Sequence, residues 1–180
     1  LAMPPGFAQQ LVMPRLDALQ QALGDRDLRL WLYDREHELN DSHFDAAVRV
    51  SNKAWTGYDA APLFAEQVMP VATPALAAEL GLHADSSAEE VLAAPLLHMD
   101  ATDRPWMSWT DWLASFDLAL TPVRGRVVFN NYPTVLQQAV AGRGVALGWG
   151  KLVDPLLTDG LLEVVGPTAT SSRDYQLTWP

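Results

Sequence analysis

The chain of 180 residues contains no cysteine, which excludes disulfide cross-links, thiolate nucleophiles and cysteine-based zinc sites, and permits a reducing compartment without requiring one. Positive charge is scarce: 12 Lys and Arg stand against 22 Asp and Glu, for a formal net charge of -10. A field of that sign repels phosphate backbones, so a contact with nucleic acid has no electrostatic footing within this stretch. No apolar run approaches the roughly 18 residues of a membrane-crossing helix, so no membrane contact is expected. The sequence also lacks a G-x-S-x-G elbow, a P-loop and a dinucleotide-binding glycine pattern.

Histidine is limited to four positions, His37, His43, His83 and His98. His37, Glu38, Asp41 and His43 could be drawn into a metal site, but a separation of six residues does not put two ligands on one helix face. Neither metal nor cofactor is expected, and no nucleophile and base pair stands out to support an enzyme. The opening Leu1-Ala2-Met3-Pro4-Pro5-Gly6 has no initiator Met and begins within a strand-like stretch. A trimmed piece of a longer protein is therefore expected, and the lack of a leader at this end carries little weight.

What is present is ordinary globular material: 49% hydrophobic and 19% charged residues, in a chain long enough to bury roughly 70% of its unfolded surface. Apolar residues recur near a 3.6 period from Phe7 to Leu19, predicting a helix that Pro14 should bend. Leu28, Leu30 and Leu32 alternate with Arg29, Trp31 and Tyr33, the period of a strand. A polar stretch then leads to the buried-strand pattern of 44–50, and the order strand, helix, strand, strand predicts a parallel sheet with helices on both faces.

Further on, Thr73-Pro74 opens a helix over 75–80 closed by Gly81, and 87–92 reads as another with acidic residues in its first turn. Residues 95–99 resemble a strand, followed by a polar loop over 100–105. Trp109, Trp112, Leu113 and Phe116 fall on one helical stripe, with Ser108 and Asp111 as a capping box. A strand over 126–129, a helix over 133–141, a Gly142-Arg143-Gly144 stop and a strand over 145–149 follow. A short helix over 154–157 and strands over 161–165 and 175–179 complete the chain.

Six of these stretches together resemble the effector-binding domain of LysR-type transcription regulators. They are Met3-Pro4-Pro5-Gly6-Phe7-Ala8 with Pro14-Arg15-Leu16, then Phe44-Asp45-Ala46-Ala47-Val48-Arg49-Val50, similar to the family's "DxAIR" strand. Leu63-Phe64 with Pro70-Val71-Ala72-Thr73-Pro74 is similar to "L…PVxSP", and the Trp109 to Leu113 segment to the W-x-x-W-L of the glycine-cleavage-activator subgroup. Ala139 to Gly148 resembles "A-x-x-G-x-G-[IV]-A-L-G", and Leu156 to Leu162 resembles "L…G-x-L".

The resemblance implies an α/β, type-2 periplasmic-binding-protein fold. Two Rossmann-like lobes would be joined by two crossover segments, lobe I being 1–68 and 150–180 and lobe II 69–149. It further implies a cytoplasmic homo-oligomer, dimer or tetramer, that meets DNA through an N-terminal winged helix-turn-helix outside this stretch, and a closing helix after Pro180. An extracytoplasmic solute-binding protein of a transporter shares the fold and is the alternative; such receptors are generally longer. An enzyme on the same fold is a third class.

In such a fold the ligand is expected between the lobes, where strand ends and helix N-termini converge. Pro5, Gly6 and Phe7 begin the first helix, where the family usually carries a hydroxyl residue. Ser51 and Asn52, with Lys53, follow the Arg49 strand and read equally well as a solvated loop. Asn130, Asn131, Tyr132 and Thr134 precede or open the helix at Pro133, where Asn or Thr would also serve as a cap. Trp106 lies off the helical stripe, in a loop bearing Asp100 and Asp103. With Tyr132 and Trp149 it could hold a cation on aromatic faces. This loop also resembles regulators of choline sulfate or betaine use, so choline, choline sulfate and betaine are the expected small-molecule effectors.

Overall fold

The structure, a computed structural model, describes residues 1–39, 44–100, 102, 106–120 and 126–180. Asp41, His43 and Asp103 lie outside the described residues. In chain order the strands are β1 (Ala2–Met3), β2 (Trp31–Leu32), β3 (Ala47–Ser51), β4 (Asp59–Ala72), β5 (His98–Met99), β6 (Val128–Phe129), β7 (Ala146–Trp149), β8 (Glu163–Val164) and β9 (Ala169–Trp179). The helices are α1 (Pro5–Phe7), α2 (Leu16–Leu23), α3 (Pro74–Leu80), α4 (Ala88–Leu92), α5 (Trp109–Ala114), α6 (Tyr132–Val140) and α7 (Gly150–Thr158). Two compact units result: Leu1–Glu66 with Ser171–Pro180, and Gln67–Thr170. β4 and β9 each run from one unit into the other.

In the first unit, β1 pairs in parallel with β2 and β3, as the βαβ pattern predicts, while β9 returns antiparallel to β3 with Val50 opposite Tyr175. The predicted first helix is broken into pieces. Pro5 sits at the first position of α1, a π turn follows over Ala8–Val12, and a 3-10 turn over Met13–Arg15 contains Pro14. Proline supplies no N–H and crowds the preceding turn, which prevents one regular ladder from running through. Gly24 then ends α2 at φ 62°.

The strand predicted over Leu28–Leu32 shrinks to two residues, with Trp31 59% and Leu32 49% exposed. β2 is an edge strand paired with β1 alone, so alternation along it has no second neighbour to bury against. The ring that enters the core here is Tyr33, whose hydroxyl donates to Val48 O at 2.6 Å. Every residue of β3 is buried, Arg49 included. That guanidinium pairs with Glu36 and lies 4.5 Å over the Trp55 ring, so the charge is compensated where it is desolvated.

In the second unit, the far half of β4 pairs antiparallel with β7, Val68 opposite Trp149 and Val71 opposite Ala146, and also with β8. Pro70 is tolerated inside β4 because its carbonyl still serves, accepting from Val165 N at 2.9 Å. Four helices are capped as their sequences dictate. Thr73, Ser87, Ser108 and Asn131 each accept a backbone N–H, and Ser87 with Glu90 and Ser108 with Asp111 form full capping boxes.

The unit boundaries differ from the lobe limits drawn on the sequence. Residues 150–170 belong with the second unit, and the chain re-enters the first at Ser171 rather than at 150. The reason is close packing of α7 on the β4–β7 pair. A Cβ on Gly148 would lie 3.0 Å from Val71 Cγ1 and 3.1 Å from Val153 Cγ1, and Leu152 and Val153 are buried. α7 is also longer than the 154–157 predicted, since Gly150–Val153 adds a turn before Asp154. Among the described residues, no helix is long and apolar enough to cross a membrane.

Candidate functional site

The second unit contains a cavity of about 510 Å³, within the range that small ligands occupy. One wall is the parallel pair β5–β6, which is fixed to the main sheet by a Leu96–Val145 bridge and by Leu97 N donating to Val145 O at 2.8 Å. The opposite wall comes from the start of α6 and from β7. The first turn of α5 closes a third side. Trp109 Nε1 donates to Leu97 O at 2.8 Å, which ties α5 to the strand wall.

Four of the residues singled out from the sequence line this one cavity: Asp100, Trp106, Tyr132 and Trp149. Trp149 is the centre of an aromatic corner. Tyr132 meets it edge to face at 4.9 Å between ring centroids, and Trp106 does so at 6.2 Å. The corner is locked by Trp149 N donating to the Tyr132 hydroxyl at 3.1 Å. Burial pushes the Tyr132 phenol well above its usual range, against a smaller opposite effect of that backbone hydrogen bond, so it stays neutral. Trp106 is half-buried, whereas Trp109 and Trp112 are core at 3% and 0% exposure. Trp109, Trp112 and Leu113 of the predicted stripe are core, while Phe116 lies past the end of α5 and is half-buried like Trp106.

Asp100 follows β5, and its Oδ1 accepts from Thr102 N at 3.0 Å, a turn that holds the carboxylate at the cavity. Asn131 and Thr134 serve the helix end. Asn131 Oδ1 accepts from Thr134 N and from Thr134 Oγ1, each at 3.2 Å, and neither residue lines the cavity. Asn130 is exposed beside them.

The remaining candidates belong to the first unit. Pro5 and Gly6 form the start of α1, and Phe7 stacks with Phe64 and Tyr175 at 6.3 and 5.9 Å, a core role. Ser51 ends β3 and accepts from Lys53 N at 3.1 Å, while Asn52 Nδ2 donates to Ser172 Oγ at 3.1 Å.

Among the ionisable lining residues, His98 and Arg126 were not expected from the sequence. Burial and, to a lesser degree, the nearby Arg126 charge hold the His98 imidazole below its usual range. Each lies in or beside a two-residue strand, and only the β5–β6 pairing brings them to the same cavity. No periodicity within either segment could announce that.

Comparison with known proteins identifies the family and the fold. The LysR substrate binding domain family matches residues 1–180. The transcriptional regulator TrpI of Pseudomonas aeruginosa is 34% identical over 165 residues, 89% of this chain and 52% of its own length. The glycine cleavage system transcriptional activator of Escherichia coli is 32% identical over 143 residues, 79% and 45%. This chain thus spans about half the length of these curated relatives. The solved effector domain of the regulator AmpR of Pseudomonas aeruginosa superposes with a TM-score of 0.75 at 24% identity, covering 99% of this chain and 82% of that one. The fold is therefore that of LysR effector domains, type-2 periplasmic-binding-like. With the family match running from the first residue to the last, this chain belongs to the LysR substrate binding domain family.

Proposed function

We propose that the chain is the effector-sensing part of a LysR-type transcription regulator, which binds a small molecule and passes the bound state to a DNA-binding helix-turn-helix outside this stretch. The observation that carries the reading is a cavity of about 510 Å³ with an aromatic corner, in a chain whose whole length matches the family. Its relatives TrpI and the glycine cleavage activator are transcriptional regulators, and the parent protein would work in the cytoplasm, where its DNA is. An enzymatic reading has no support in the cavity. Among the described residues, its one imidazole is His98, and of its aliphatic hydroxyls, on Thr102, Ser108 and Thr110, that of Ser108 is committed to the α5 capping box.

For the effector we propose a small quaternary-ammonium compound: choline, its sulfate ester or betaine. Trp106, Tyr132 and Trp149 all line the cavity, as does Asp100, and an aromatic face attracts a weakly hydrated cation by about 0.5 to 2 kcal/mol. Calorimetric titration of choline, choline sulfate, betaine and succinate tests this. Binding of the ammonium compounds, weakened at least tenfold in Trp106→Ala, is the expected result. Succinate binding alone, or an unaffected Trp106→Ala, would show that the corner does not hold a cation.

We also propose self-association through the first unit. α2 buries none of its residues although Leu16, Leu19 and Leu23 lie along it, and Trp31 and Leu32 are exposed on the edge strand. Sedimentation of the parent protein should give a dimer or tetramer at micromolar concentration, and Leu19→Glu should dissociate it. Monomer alone in the unmodified protein would rule this surface out.

A further inference from the structure

We infer that the cavity of the second unit holds an anion subsite made by Arg126 and His98, that the effector presents a carboxylate or sulfate there, and that its binding brings a proton from solvent onto His98. The inference rests on the reading that this cavity holds the effector, and it names the second chemical group that the effector must carry.

Strand register puts the two side chains together. β5 and β6 are parallel with His98 opposite Val128. Arg126 lies two residues before Val128, just ahead of β6, and His98, Arg126 and Val128 all line the cavity. Among the described residues, no hydrogen bond or ion pair engages the Arg126 guanidinium or the His98 imidazole. Arg49 and Arg173 are paired within the protein, with Glu36 and Glu66, whereas Arg126 is exposed at the cavity. A guanidinium turned to a cavity without such an answer is positioned for a ligand's anion, which it can grip with two donors.

The charges around His98 fix the direction of proton movement. Arg126 is near it from the segment just ahead of β6, Asp100 stands two residues on, just after β5, and Tyr132 on α6 is neutral. Asp111 on α5 is held by Ser108. Burial and, after it, the Arg126 charge both disfavour the imidazolium. A bound carboxylate or sulfate cancels the Arg126 repulsion and accepts a hydrogen bond that only the protonated ring can add, so the imidazolium becomes favourable. A zwitterion would then span the cavity, its anionic end on Arg126 and His98 and its ammonium on the aromatic corner.

The test uses the intact protein and does not need the natural effector. The His98 ring resonance, assigned with His98→Asn, is followed against pH by NMR in sodium chloride and in sodium sulfate at matched ionic strength, in wild type and Arg126→Gln. Sulfate should raise the apparent His98 pKa by roughly one unit in wild type, the size of a single close charge, and leave Arg126→Gln unchanged. In parallel, betaine should take up protons on binding near pH 6.5, read as heats that differ between two buffers, while choline, which has no anionic end, should not. A His98 titration indifferent to sulfate, or one shifted equally in Arg126→Gln, would overturn the subsite. Either outcome leaves the cation-binding corner standing, because that is judged separately by Trp106→Ala.

Discussion

Glu66 and Arg173, 107 residues apart in sequence, are joined by an ion pair of 2.8 Å in which the carboxylate is fully buried. The Ser171 hydroxyl donates to the same Glu66 oxygen at 2.5 Å. The two strands that carry the chain from one compact unit to the other are thus pinned together inside the first, next to the points where it leaves and returns. A buried carboxylate is costly unless its oxygens are answered, and here a guanidinium and a hydroxyl answer one of them.

Removing the charge while keeping the shape should therefore destabilise the fold. Glu66→Gln is expected to lose about 2 kcal/mol, because Arg173 and Ser171 lose an ionic acceptor while Arg173 remains partly hydrated. Urea unfolding gives the measure, and an unchanged midpoint would mean that the pair contributes nothing net.

Gly144 is packed where no side chain fits. A Cβ there would lie 2.5 Å from the Pro95 carbonyl oxygen and 3.1 Å from Leu97 Cγ, and backbone cannot step aside as a flexible side chain can. Gly144→Ala should cost roughly 2 kcal/mol or more and should also weaken ligand binding, because Pro95 and Leu97 anchor β5 at the cavity wall. Gly150→Ala, whose Cβ would meet nothing closer than 3.6 Å, is the comparison and should be much milder. Equal loss in both variants would refute the steric account.

Tyr132→Phe keeps the aromatic corner but deletes the hydroxyl that accepts from Trp149 N. Loss of a buried acceptor of this kind costs about 1 to 2 kcal/mol. Thermal unfolding should show that loss, with ammonium-compound affinity reduced less than by Trp106→Ala, since the ring faces remain. If Tyr132→Phe abolished binding without affecting stability, the hydroxyl would have to contact ligand instead.

The lowered pKa of His98 sets the sign of a stability effect. Above the unfolded histidine value of about 6.5, both states are neutral at this residue and the contribution is zero. As pH falls below that value the unfolded chain takes up the proton first, so the folded state loses stability until pH passes the lower folded value. Wild type should thus lose more stability than His98→Asn between pH 7 and 5 in the absence of ligand. Parallel curves for the two proteins would contradict the assignment.

Much of the architecture was legible in the sequence because helix starts and stops are local events. Thr73, Ser87, Ser108 and Asn131 each accept from the residue three places on, and Gly81 turns left-handed directly after α3 at φ 68°. The stripe of Trp109 and Trp112 reports its own burial, and the family motifs point to the fold. The sequence alone placed Trp106, Tyr132 and Trp149 together only through resemblance. What the tertiary structure decided is whatever depends on strands finding distant partners. β2 became an exposed edge, residues 150–170 stayed with the second unit, and His98 and Arg126 met at one cavity. An interaction over three or four residues is written in the spacing of those residues. The pairing of His98 with Val128, thirty positions further along the chain, is settled by packing of the whole unit, since two-residue strands carry too little pattern of their own to fix a register.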